Sequence, residues 1–175
     1  MAKRKLDKPL QTSTLKGVVR TLGAPPSLST KSSIARVADL AITLKGGKAG
    51  TVSLATFTVA LNASVPANET AQLIDEADAS RVTPGARIRA GYVFKNVKFT
   101  EPGEKAARVF RITNVRVNAS ALGGGSASGA TPVIASISVS SSTSGPVPLS
   151  AGKQVVALVP SGAITKSTPR SIKKP

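Results

Sequence analysis

The chain contains no cysteine, no histidine and no tryptophan, and only five aromatic rings, Phe57, Tyr92, Phe94, Phe99 and Phe110. Without histidine or cysteine there is no Ser-His-Asp or Cys-His nucleophile, no zinc site of the usual kind and no haem or iron–sulfur ligation. The absence of cysteine also removes a disulfide framework, which favours assembly in a reducing compartment. No apolar run approaches the ~20 residues that a membrane-spanning helix needs. Lys3, Arg4 and Lys5 lead into Asp7 and Lys8, not into an apolar stretch, so no signal peptide is expected. Acidic residues are scarce as well: 8 stand against 24 lysines and arginines, for a formal net charge of +16.

That charge is concentrated at the two ends. Lys3, Arg4, Lys5, Lys8, Lys16, Arg20, Lys31 and Arg36 precede residue 37 with Asp7 as their sole acid, and Lys166, Arg170, Lys173 and Lys174 close the chain. Such segments attract phosphate, anionic lipid or acidic protein at long range. These twelve residues are therefore the expected partner- or nucleic-acid-binding set. With 175 residues the chain suits one domain plus extensions. The expected organisation is a basic extended arm over 1–33, a β-sandwich domain over 34–165 and a basic tail over 166–175. Within the arm, the brief apolar run Leu15 to Leu22 is the one place for a short helix.

Between the ends the pattern is that of strands. Leu40, Ile42 and Leu44 alternate with Asp39, Ala41 and Thr43, the period of two of a half-buried strand. In Thr51 to Val65 the parity of Val52 and Leu54 differs from that of Phe57, Val59 and Leu61, which predicts a bulge. Arg87 to Phe99 and Arg108 to Ala119 show similar phase changes, the second near Asn114. Val133, Ala135, Ile137 and Val139 against Ser136, Ser138 and Ser140 give the cleanest alternation, and Gln154 to Val159 reads as a last strand. Thr70 to Ala77 reads as a short helix or a loop. Short strands rich in Val, Ile and Thr between Gly and Pro turns predict an all-β antiparallel sandwich, jelly-roll or immunoglobulin-like, with an aliphatic core that uses all five rings.

Three motifs invite chemistry. Gly46-Gly47-Lys48-Ala49-Gly50-Thr51 has the composition of a phosphate loop, but not its order, and reads as a hairpin turn. Asp75, Glu76 and Asp78 match no calcium-loop spacing and read as a solvated acidic loop or a docking point for a basic tail. Arg108, Arg111 and Arg116 suggest a phosphate-binding face, but their phase change divides them between faces. Asn62, Asn68 and Asn118 head glycosylation sequons that matter only in a eukaryotic secretory route. No catalytic, cofactor-binding or metal-ligating residues are expected.

Asp39-Leu40-Ala41-Ile42-Thr43-Leu44 with Gly46-Gly47, Phe57 to Asn62, Leu73-Ile74-Asp75-Glu76, Val109 to Arg116 with Asn118-Ala119, and Gly124 to Val139 together resemble an uncharacterised family. It is a β-rich family of exported proteins from soil bacteria of the acidobacterial kind, and the resemblance covers roughly residues 37–160. It implies a secreted or surface β-sandwich and supplies no known activity and no catalytic residues. The chain departs from the family at Lys45, where cysteine is usual, and in its basic ends.

The leading expectation is a non-enzymatic structural subunit of a virion, as capsid shell, decoration or cement protein. Its basic ends would bind identical or other structural subunits, or non-specific nucleic acid, in a homo-oligomer within a larger assembly. The alternatives are a secreted surface or filament-forming β-sandwich protein, extracellular or at the cell surface, and a sequence-independent nucleic-acid-binding protein. None calls for a small-molecule substrate or a cofactor.

Overall fold

In the computed structural model, residues 13–29, 34–68, 70–122 and 129–160 are described. Fourteen strands run in chain order among them: β1 (Ser13–Leu22), β2 (Ile34–Arg36), β3 (Asp39–Gly47), β4 (Val52–Leu61), β5 (Gln72–Asp75), β6 (Asp78–Pro84) and β7 (Ala86–Ile88). They continue with β8 (Gly91–Thr100), β9 (Gly103–Thr113), β10 (Arg116–Asn118), β11 (Thr131–Ser141), β12 (Gly145–Val147), β13 (Leu149–Ser150) and β14 (Lys153–Val159). The class is all-β, as the alternating segments predict. A four-residue 3₁₀ turn at Ala119–Leu122 is the one helical piece among the described residues.

One six-stranded sheet has the order β13-β1-β3-β9-β5-β6, and a second runs β12-β11-β4-β8-β7 with β14 also paired to β11. A two-stranded ribbon joins β2 to β10. The strand pairs are antiparallel except β1 with β13. Leu40, Ile42, Leu44 and Phe110 of the first sheet and Phe57, Val59, Tyr92 and Phe94 of the second belong to one buried cluster. Phe57 and Phe110 meet across it with ring centroids 5.0 Å apart, and Phe99 packs edge-on to Phe110 at 5.7 Å. All five rings are thus in the core, as expected from their scarcity.

The expected arm over residues 1–33 is corrected at its centre. Ser13–Leu22 is neither arm nor helix but a strand, flanked by β3 and β13. Leu15 and Val19 enter the core at 2% and 1% exposure, while Lys16, Val18 and Arg20 point outward. Gly17 shares the inward parity because its missing Cβ leaves room for Leu44 and Leu149, each 2.8 Å from where that atom would sit. Leu28 also lies in the core, and its N–H donates to the Leu158 carbonyl at 2.7 Å. Residues 1–12 and the expected tail 166–175 lie outside the described residues.

Other differences have local causes. In β4 the face does not flip, since Ser53, Ala55, Phe57 and Val59 are all buried, and Val52 and Leu54 stay exposed. The bulge lies on the partner strand: Ala55 pairs with Val97 but Phe57 with Phe94, so β8 carries one extra residue, and Asn96 takes φ 56°. The stretch Arg87 to Phe99 is a hairpin of β7 and β8. The phase change near Asn114 is real, with φ 59° between β9 and β10. Thr70 to Ala77 contains β5, paired with β6 and β9. The glycine-rich segment 46–51 is not a hairpin, because it carries the chain from β3 in one sheet to β4 in the other.

Candidate anion-binding face

Strand alternation sorts the polar residues of β1 and β3 onto the side of the first sheet that turns away from the core. Lys16 lies directly opposite Lys45, Val18 opposite Thr43 and Arg20 opposite Ala41. At the outer edge, Leu149 and Ser150 of β13 pair with Gly17 and Val18. The Gly17 N–H donates to the Pro148 carbonyl at 2.9 Å. Together these residues line a groove of about 590 Å³ with Lys16, Arg20 and Lys45 around the apolar surface of Val18 and Pro148, and with the partly buried Leu149 at its edge. Val18 is 51% exposed between the cations.

The three cations make no ion pair among the described residues, whereas four arginines elsewhere do. Arg36 donates to Asp39 at 2.9 Å and to Thr113 at 2.8 Å. Arg108 donates to Asp75 at 2.7 Å, and this Asp side chain is only 3% exposed. Arg111 stands 3.3 Å from Glu76, and Arg81 3.5 Å from Asp78. Asp39, Asp75, Glu76 and Asp78 are thus paired with arginines, and no acid lines the groove.

Of the twelve residues expected to bind a partner, Lys16 and Arg20 come together here. Arg36 does not join them, since it is tied on β2 to Asp39 and Thr113. Lys3, Arg4, Lys5, Lys8, Lys31, Lys166, Arg170, Lys173 and Lys174 lie outside the described residues. Lys45 is the site residue that the sequence reading missed as a binder. Its signal was its position one step after the buried Leu44, which turns it outward on β3.

The motifs resolve differently from their sequence readings. The glycine-rich segment does present an amide to an anion, but that anion is internal: the Lys48 N–H donates to Glu101 Oε2 at 2.8 Å. Thr143 donates its hydroxyl to the other Glu101 oxygen. The acidic stretch is no solvated loop at Asp75, which is buried against Arg108 and also accepts the Ala77 N–H at 3.0 Å. Asp78 is exposed, and the Ser80 hydroxyl and N–H that it accepts hold its carboxyl below the usual aspartate value. No group of three carboxylates able to hold a metal occurs among the described residues. Arg108, Arg111 and Arg116 do not form a phosphate-binding face, because the first turns to Asp75, the second to Glu76 and the third to Asn114 at 3.0 Å.

On the outer side of the second sheet Ser140 pairs with Thr56, Ser138 with Thr58 and Ser136 with Ala60, and Lys95, Lys98 and Lys153 stand exposed on strands of the same sheet. Comparison of the chain with protein-family models, curated proteins and solved structures returned no match.

Proposed function

We propose that the chain is a non-enzymatic assembly subunit. Its two sheets form the layers of a β-sandwich, and the reading that fits best is a capsid shell, decoration or cement protein of a virion. The observation that carries it is the groove on the outer side of the first sheet, where Lys16, Arg20 and Lys45 gather without an acidic partner among the described ion pairs. A wall unit that meets a polyanion needs such a face. The shared core, with Phe57 against Phe110, supports the sandwich. The basic ends at residues 1–12 and 166–175 add charge of the same sign.

Gel filtration of untagged protein taken directly from cells, with light scattering and an ultraviolet spectrum across the peak, tests the assembly. With no Trp and one Tyr, the protein absorbs weakly near 280 nm, so co-purifying nucleic acid dominates the spectrum. A large uniform species is the expected result. A monomer at every concentration, with or without added polyanion, removes the reading.

A further inference from the structure

We infer that the groove between β1, β3 and β13 is a binding site for the phosphodiester backbone of single-stranded nucleic acid. This names the partner of the basic face and rests on the assembly reading. Three observations lead to it. First, Lys16 and Lys45 are a directly opposed cross-strand pair, about 5 Å apart at Cβ, a placement that destabilises a sheet when the charges are alike. Neither finds an acid among the described residues. An anion seated between the two ammonium groups offsets that repulsion.

Second, Arg20 stands on the same strand face four residues beyond Lys16, ~13 Å along the strand. The uncharged pair Val18 and Thr43 lies between. A cation pair, an uncharged spacer and a further cation match a polymer whose charges are separated by uncharged units, and the Arg20 guanidinium presents the planar fork that suits phosphate. Third, the apolar surface of Val18 and Pro148 in the groove is open. It gives a sugar or an unpaired base a surface to lie on, which a duplex keeps stacked inside. The five rings are all buried, so no aromatic platform reads bases here, and binding is independent of sequence.

The test compares the full chain with two triple variants that lose the same charge. One is Lys16→Gln with Arg20→Gln and Lys45→Gln. The other, Lys95→Gln with Lys105→Gln and Lys153→Gln, removes exposed lysines elsewhere. Binding of fluorescein-labelled oligodeoxythymidylate is followed by anisotropy at ~50 and ~200 mM salt, with circular dichroism melting to verify folding. Three phosphate contacts at about −0.7 each take about two powers off the salt dependence. The loss of affinity between those salts should therefore be about twentyfold smaller in the groove variant than in the natural chain, and unchanged in the other. Equal effects of the two triples, or no binding by the natural chain, overturn the proposal. Polyglutamate competing as well as the oligonucleotide overturns it in favour of an acidic protein. If gel filtration gives a monomer while the groove variant alone loses its salt dependence, the site stands and the assembly reading falls. A large assembly with no difference between the triples has the reverse meaning.

Discussion

Asp75 shows how a single side chain decides the fate of a motif. Its carboxylate is buried on the inner side of β5, and Arg108, one strand away on β9, is the only cation placed to neutralise it among the described ion pairs. Removing one partner of a buried pair leaves an uncompensated charge, which costs ~3–5 kcal/mol. Arg108→Met should therefore lower the melting temperature by roughly 6–20 °C, at ~2–4 °C per kcal/mol for a domain of this size. Arg108→Met combined with Asp75→Leu should recover a large part of that loss, and failure to recover it would show that Arg108 acts through some other contact. Asp78 is the opposite case. It is exposed, and its carboxyl is lowered chiefly by the Ser80 hydroxyl, then by the Ser80 N–H. A lowered folded-state pKa contributes stability above the unfolded value and loses it as pH falls through the folded value. Asp78→Asn should thus melt below the natural chain at neutral pH and converge with it in acid. A gap independent of pH would assign the effect to loop geometry instead of charge.

At the level of the strand, legibility followed the purity of the alternation. β11 was readable because Val133, Ala135, Ile137 and Val139 are uniformly apolar and the intervening serines uniformly polar, and all four of those apolar residues are buried. β1 was not, because its inward side includes Gly17 and its outward side Val18, so the two faces are mixed in the sequence although they are separate in space. The acidic residues of β5 and β6 concealed a hairpin in the same way, since nothing in the local pattern announces that an arginine 33 positions away will pair with Asp75. The basic groove shared the fate of β1: Lys16 and Arg20 were visible as charges, but Lys45 joins them only through the β1–β3 register. A direct consequence concerns truncation. Burying Leu15 and Val19 is worth ~1.5–3 kcal/mol each, against a total stability of ~5–15 kcal/mol, and deleting β1 also strips the backbone partners of β3. A chain beginning at residue 23 should therefore show no cooperative melt, whereas one beginning at residue 13 keeps every described strand and should retain its transition. Normal melting of the shorter chain would mean that β1 is an accessory strand that the sheet can lose.

Across the whole molecule the excess of positive charge sets two responses to salt that run in opposite directions. A net charge of +16 disfavours the compact state through self-repulsion, and the ion pairs at Asp39, Asp75, Glu76 and Asp78 offset only a small part of it. Raising ionic strength shortens the screening length from ~30 Å at 0.01 M to ~8 Å at 0.15 M, so the free protein should melt higher as salt is added over that range. Nucleic acid acts on the same charges by binding. At a concentration 100 times its dissociation constant, a ligand of the folded state adds ~2.7 kcal/mol, or roughly 5–10 °C for this length. That increment should be largest at low salt and should vanish as counterion release ceases to favour the complex. Melting curves recorded with and without single-stranded oligonucleotide should therefore converge with added salt, the bare protein rising and the complex falling. Parallel curves would show that the cations do not meet phosphate in the folded state, and a bare protein insensitive to salt would show that its positive charges are too far apart to repel.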